Sequence, residues 1–483
     1  MRIHVVGVAG AGMGSLAGLL AELGHDVTGS DVAFDPPIGP SLAGWGVGTL
    51  KGFHASNLVP APELVVIGNV CRKDNPEARA AIDGGLPYTH IAGALADLVL
   101  GGTRPLVVAG THGKTTTTAL AAWLLDGAGR NPGFLVGGIP ANFGRSFRAP
   151  RRRLPVAGDT PSAERPPFVI EGDEYDTAFF EKTAKFLHYR AEVAIVTSIE
   201  HDHVDIYPTL DSYHDAFRRF IAQIPPSGLV VANAADPVVV ELVGNAARAD
   251  VAWYALEGEP NHGVAPRWLG AMAGSDARAT SFDLYAGGVA AGRLSVPLAG
   301  RHNVSNSVAA IGAVVEGYGV KIHELARPLS RFAGVKRRQE VLGEPRGITV
   351  IDDFAHHPTA VRETLAALRA RYAGRRLVAV FEPRSATACR AMHQEQYTES
   401  FDAADEVLLA PVGRKGIADE TLDVERLARD LTLRGKTAAA YPDVDAIVKR
   451  LVETATTGDV IALLSNGAFG GIHGRLLTAL AGR

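Results

Sequence analysis

PLVVAGTHGKTTTT, residues Pro105 to Thr118, is the stretch that decides the reading of this chain. An apolar strand, Leu106 to Ala109, runs into a loop carrying Gly110 and Gly113, and Lys114 and Thr115 then open a helix. Backbone N–H groups of such a loop form a nest for anions, the lysine reaches the outer phosphates of a nucleotide, and the following hydroxyl binds Mg²⁺. The common phosphate-loop pattern asks for glycine where this chain has Val108. The strict pattern therefore fails while its physical parts are present. Chance occurrence of Gly-Lys-Thr-Thr after a strand is the bland alternative.

Upstream, MRIHVVGVAGAGMG (Met1 to Gly14) reads as a first strand, Ile3 to Val8, a glycine-rich turn and a helix starting near Ser15. A turn of this kind lets backbone approach a diphosphate and aims a helix N-terminus at it. Gly10, Ala11, Gly12 and Met13 form that turn, and Asp31, after the next strand, is placed to meet a ribose or neighbouring hydroxyl. His54 and Asn57 are further candidates for the same site. A nicotinamide dinucleotide site is the rival reading, weakened by Ser15 where the dinucleotide pattern from Gly10 needs its last glycine. A glycine turn used for packing alone is the structural reading.

Downstream, further strands are expected at Ile348 to Asp352, Leu377 to Phe381 and Val407 to Leu409. Strands alternating with helical stretches imply parallel sheets covered by helices. The chain has 483 residues, more than one ordinary core holds. Three α/β domains are expected: 1–103, Rossmann-like; 104–329, carrying the phosphate loop; and 330–483, again Rossmann-like. Arg145 to Pro167, rich in Pro and Arg and without periodicity, reads as a mobile surface loop.

Composition removes other classes. Hydrophobic residues make up 47% and charged residues 21%, as in globular proteins, and the formal net charge of −4 gives no bulk basic field for nucleic acid or anionic lipid. Two distant cysteines, Cys71 and Cys389, argue against a disulfide framework and for a reducing compartment, hence a cytoplasmic protein. No stretch reaches the roughly 20 apolar residues of a membrane span.

The motifs together resemble the Mur ligase family, and the resemblance covers nearly the whole chain. AGTHGKTTT (Ala109 to Thr117) is similar to that family's ATP loop, which implicates Gly110, Thr111, His112, Gly113, Lys114, Thr115 and Thr116. EGDEYD (Glu171 to Asp176) resembles the segment whose first glutamate binds Mg²⁺, and IEHDHVDIY (Ile199 to Tyr207) the one that supplies a further metal ligand, here His203. GRHNVSN (Gly300 to Asn306) is similar to the adenine-side motif, implicating His302 and Asn303; VKRRQE and DDFAHHP resemble the motifs that bring the last domain onto ATP, pointing to Arg338, Asp353 and His356. Thr115 and Glu171 suit Mg²⁺, which prefers oxygen ligands. Each residue alone has an ordinary reading, Glu171 as a helix-start acid and His203 as a surface or core histidine; the combination carries the inference. Some members orient a metal with a carbamylated lysine after the histidine. The corresponding count lands on Arg218, which cannot take that modification.

The resemblance implies an amide-bond ligase. A substrate carboxylate attacks the γ-phosphate of ATP, and an amine carried on the last domain displaces phosphate from the resulting acyl phosphate. Lys114, Glu171, His203, Arg338 and Asp353 are the implied catalytic set. IGNVCRKDNPE (67–77), EGDEYDTAFFEKTAKFLHY (171–189), FEPRSATA (381–388) and SNGAFGGIHGRLL (465–477) resemble one branch of the family. That branch joins UDP-N-acetylmuramate to the tripeptide L-alanyl-γ-D-glutamyl-meso-diaminopimelate. Arg384 is placed to pair bidentately with an acceptor carboxylate, with Ser385, Thr387 and Asn466 as further acceptor contacts. The branch that adds L-alanine alone is the alternative; its proline-histidine pair is replaced here by Pro383 and Arg384. A nicotinamide oxidoreductase and a regulatory protein that has lost ligation are the readings from other classes.

Overall fold

A computed structural model of the protein describes residues 1–36, 38–151, 165–276, 278–413 and 421–482. Three large sheets follow one another along the chain. The first has five parallel strands in the spatial order Gly48–Lys51, Asp26–Asp31, Arg2–Val6, Leu64–Ile67 and Tyr88–Thr89. The order reverses on either side of Arg2–Val6, which places a crevice beyond the C-terminal end of that strand, at the glycine turn. The following helix, Ala11–Glu22, begins four residues before Ser15 because Gly10, in an extended conformation, already caps it. His4 lies in mid-strand yet is satisfied: its ring bonds Thr28 Oγ1 (2.8 Å) and the buried Glu77 (2.6 Å), which also accepts from Ser30 Oγ (2.6 Å).

The second sheet has ten strands and is built around Arg104–Ala109. Leu106 and Val108 face one hydrophobic cluster and Val107 and Ala109 another, so period-2 alternation buries both faces. Full burial of Leu106, Val107 and Val108 contributes about 1.5–3 kcal/mol each. Val108 pairs in parallel register with Glu171, and Ala109 with Gly172. The strand therefore continues through the position where the common pattern has glycine, and the loop opens at Gly110. The expectation of parallel sheets needs one correction here. Trp268–Ser275, Thr280–Ala286 and Val289–Val296 run antiparallel at one edge of the sheet, the last two joined by a turn at Gly287 and Gly288, both at positive φ. Gly287-Gly288 between alternating strands is a hairpin signal.

The segment from Arg145 to Pro167 differs from the expected loop at both ends, while residues 152–164 lie outside the described residues. Phe147–Arg148 pairs antiparallel with Gly133–Leu135, and Pro167 starts the strand that runs to Gly172. Phe147 is buried against Trp45 of the first sheet's layer, ring centroids 4.9 Å apart. A Cβ on Gly18 would lie 2.3 Å from the Phe147 ring, so glycine there lets the two units close on each other.

The third sheet orders Glu340–Gly343, Thr349–Asp353, Val460–Leu464, Leu377–Phe381, Glu406–Leu409 and Thr437–Ala440, parallel except for the first strand. Neither cysteine is in a disulfide, and both are buried. No helix among the described residues is long and apolar enough to cross a membrane.

Candidate active site

The phosphate loop is held by the strand end that follows Val193–Val196. Thr111 N–H donates to Ser198 O (2.8 Å) and His112 N–H to Ser198 Oγ (3.1 Å). Gly110 sits at φ +134°, and a Cβ there would fall 2.1 Å from Thr197 Oγ1, so only glycine fits. Gly113, at φ +79°, turns the chain into the helix Lys114–Gly127, whose first N–H groups have no intrahelical acceptor and can receive an anion.

Lys114 and Thr115 then engage two different carboxylates. Lys114 Nζ donates to both oxygens of Glu174 (2.9 and 3.1 Å) and to Gly110 O (2.5 Å). Thr115 Oγ1 donates to Glu171 Oε1 (2.8 Å), whose other oxygen accepts from Gly137 N–H (2.8 Å). His203, at φ +52°, brings Nε2 to 3.4 Å from Glu174 Oε1. Burial works against each of these charges, and the neighbours decide the outcome. Glu174, with Lys114 and His203 against it, lies well below the usual carboxylate range. Burial and then Asp173 push Glu171 up. His203 is opposed by burial but raised to about 9 by Glu174 and Asp202, so it is protonated at neutral pH in this arrangement.

The last domain closes over this group. Arg338 Nη2 donates to Thr115 Oγ1 (3.1 Å), and its guanidinium stacks over Phe354 at 4.8 Å. Asp353 is buried, accepting from Gln339 N–H and Ala355 N–H (both 2.8 Å); burial raises it despite Arg338 nearby. A cavity of about 630 Å³ lies between the two domains. Its lining includes His112, Gly113, Thr115, Thr116, Arg338, Asp353, His302 and Asn303. That volume suits a nucleotide. His302 is pushed down to about 4 by burial and stays neutral; Asn303 Nδ2 donates to Ala299 O (2.7 Å). His356 Nδ1 donates to Phe354 O (2.9 Å), and the His356 carbonyl accepts from Tyr397 Oη (2.5 Å).

The remaining expected residues lie apart from this group. Gly10, Ala11 and Gly12 are exposed at the glycine turn, whereas the Met13 side chain is buried in the core. Asp31 accepts from Ala9 N–H (3.0 Å) and Val32 N–H (2.8 Å), so its carboxylate braces the turn. His54 is exposed beside Gly52. Arg384 lies across Gly467, next to Asn466, with Nη1 3.4 Å from Glu382. Ser385 Oγ accepts from Ala388 N–H (2.9 Å), and Thr387 is buried. Arg218 is exposed and paired with Asp215 (3.1 Å).

Sequence reading missed four residues that organise the site. Glu174 is the counter-charge of Lys114; a buried lysine in a loop without other acids required one, and EGDEYD offered it. Tyr213 Oη bonds Thr111 Oγ1 (3.0 Å) from the helix Leu210–Gln223, with no signal in the sequence. Asp202, opposed by burial but stabilised by His203 and His356, is held well below the ordinary carboxylate range. Glu200 is the fourth, accepting from Thr359 Oγ1 (2.8 Å) across the domain boundary.

Strand, glycine loop, lysine, hydroxyl and carboxylates define a phosphate-loop nucleotide-binding protein built of three α/β units. Comparison with known families narrows the class. Residues 2–102 match the model of the Mur ligase family catalytic domain, 108–314 the Mur ligase middle domain and 337–467 the Mur ligase glutamate ligase domain. The chain belongs to the Mur ligase family. It is 38% identical, over 100% of its length and 98% of the relative, to the UDP-N-acetylmuramate–L-alanyl-γ-D-glutamyl-meso-2,6-diaminoheptandioate ligase of Escherichia coli K12. It is 36% identical to the UDP-N-acetylmuramate–L-alanine ligase of a Roseiflexus species, over 97% of this chain and 96% of that one. Among solved structures, a murein peptide ligase from Psychrobacter arcticus superposes with a TM-score of 0.73 at 34% identity, covering 100% of this chain and 99% of that one.

Proposed function

We propose that this ligase joins the lactyl carboxylate of UDP-N-acetylmuramate to the amine of L-alanyl-γ-D-glutamyl-meso-diaminopimelate, with ATP converted to ADP and phosphate. The observation that carries the reading is the convergence of Lys114, Thr115, Glu171 and Arg338 from two domains onto one phosphate-loop helix. Relatives whose names specify this reaction align over the full chain and support it.

The residues divide the work. The helix N-terminus and Lys114 bind the outer phosphates, and the glycine turn of the first domain receives the UDP diphosphate. The oxygen donors Thr115 Oγ1 and Glu171 fit Mg²⁺, which neutralises charge on phosphate oxygens when bound. His203 would add a nitrogen ligand through a neutral Nε2 turned from Glu174. Arg338 and Lys114 then offset the repulsion as the carboxylate oxygen attacks the γ-phosphorus and ADP departs. The acceptor amine, oriented by Arg384 and Asn466, attacks the acyl carbon; phosphate leaves and the amine loses a proton. Catalysis is positioning plus charge stabilisation. On this reading the buried residues around His302 and Asn303 enclose the adenine.

The test is phosphate release from purified protein with ATP, Mg²⁺ and UDP-N-acetylmuramate, with tripeptide or L-alanine as acceptor. Release with tripeptide and little with L-alanine is expected. The reverse preference would place the chain in the alanine-adding branch.

A further inference from the structure

Beside the phosphate loop, three side chains face one another at a spacing longer than ordinary hydrogen bonds. His112 Nε2 lies 3.4 Å and His357 Nδ1 3.5 Å from the same oxygen, Glu200 Oε2, and all three donor atoms fall within 4.8 Å of one another. Hydrogen bonds between nitrogen and oxygen are shorter, about 2.7–3.2 Å. Two ligands at about 2.0–2.1 Å on a tetrahedral cation sit about 3.3–3.4 Å apart.

The nitrogens are also unsatisfied. His112 Nε2 and both ring nitrogens of His357 are buried without a hydrogen-bond partner, and His357 is only 5% exposed. Leaving such groups unpaired is costly. The framework is fixed around them. His112 O accepts from Thr197 Oγ1 (2.5 Å), its N–H is held by Ser198, and Thr359 Oγ1 holds Glu200 Oε2 at 2.8 Å. Such outer partners orient metal ligands. His112 and Glu200 also line the cavity, which gives a cation and its water a way in.

A second His–Glu–His group shows the contrast. His90 and His188, around Glu181, make ordinary hydrogen bonds: His90 Nδ1 accepts from Gly93 N–H (3.1 Å), His90 Nε2 meets Glu181 (3.1 Å) and His188 Nε2 meets Thr183 Oγ1 (2.8 Å). That group is satisfied as it stands.

We infer that His112 Nε2, Glu200 Oε2 and His357 Nδ1 form a tetrahedral site for a borderline divalent cation of the zinc class. It is separate from the oxygen site of Thr115 and Glu171. Two imidazoles and one carboxylate with a water in the fourth position are a familiar ligand set for such ions. Because His112 belongs to the phosphate loop and His357 caps the helix Pro358–Arg371 of the last domain, the cation fastens that domain over the nucleotide cavity. The assignment does not depend on which acceptor the ligase uses.

The test is a Co²⁺ titration of the metal-stripped full chain in excess Mg²⁺, read by visible absorption, which is intense for tetrahedral and weak for octahedral Co²⁺. A strong band saturating at one equivalent is expected. Glu200→Gln and His357→Gln, each confirmed folded by circular dichroism, should weaken Co²⁺ binding at least about tenfold. His188→Gln should leave the band unchanged. Absence of the band, its survival in both ligand variants, or its loss in His188→Gln would overturn the assignment.

Discussion

Lys114 Nζ is bonded to both carboxylate oxygens of Glu174, which in turn faces His203 Nε2 at 3.4 Å. One buried carboxylate thus places two side chains that the proposed reaction uses. Glu174→Gln keeps the shape and removes the charge that places them. Turnover should fall about 10–100-fold, as for other residues that orient metal ligands. Steady-state phosphate release at saturating ATP checks this; an unchanged kcat would remove Glu174 from the site.

Arg338 reaches Thr115 from another domain, so its loss separates positioning by the last domain from binding by the phosphate loop. Arg338→Ala should lower kcat by about 10²–10³-fold, the usual cost of losing one donor to developing charge. KM for UDP-N-acetylmuramate should barely move, because Arg338 meets Thr115 and Phe354 at the nucleotide cavity. A change confined to that KM would contradict the placement.

Arg384 lies over Gly467, and among the described residues a 3.4 Å contact to Glu382 competes for it. Arg384→Ala should raise KM for the tripeptide about 10–100-fold, matching the roughly 1.5–3 kcal/mol of a charged hydrogen bond. The KM for ATP should stay near its original value. Equal increases for both substrates would remove Arg384 from the acceptor site.

His302 makes a pH-dependent contribution to stability. Its ordinary value is 6.5 and burial brings it down to about 4, so the unfolded chain binds this proton more tightly. The stability it contributes is complete above about 6.5 and is lost as pH falls towards 4. Urea unfolding at several pH values should show a shallower dependence in that window for His302→Gln than for the parent. Identical slopes would mean that His302 titrates normally.

The phosphate loop and the order of the three units were legible because they rest on local rules. Leu106 to Ala109 is a short apolar run, Gly110 and Gly113 occupy conformations only glycine takes easily, and Lys114 follows at once. The strand Leu377–Phe381 was read to the residue for the same reason. What escaped depends on partners distant in sequence. Phe147 looked like part of a polar loop, yet Trp45 and Gly18 build a socket for it. Tyr213 and Glu200 carry no local pattern, since Thr111 and Thr359 give them their roles only after the chain folds. The antiparallel hairpins had their signal in Gly287 and Gly288, but the alternating βα rhythm elsewhere obscured it.

The account stands on transfer of the sugar-borne carboxylate oxygen to phosphorus at the site of Lys114, Thr115 and Glu171. UDP-N-acetylmuramate labelled with ¹⁸O in its lactyl carboxylate, turned over with ATP and tripeptide, examines that step by the isotope shift of released phosphate in ³¹P NMR. One ¹⁸O atom should appear in each phosphate released from doubly labelled substrate. Unlabelled phosphate, with amide product still formed, would show that the carboxylate is not activated by phosphorylation.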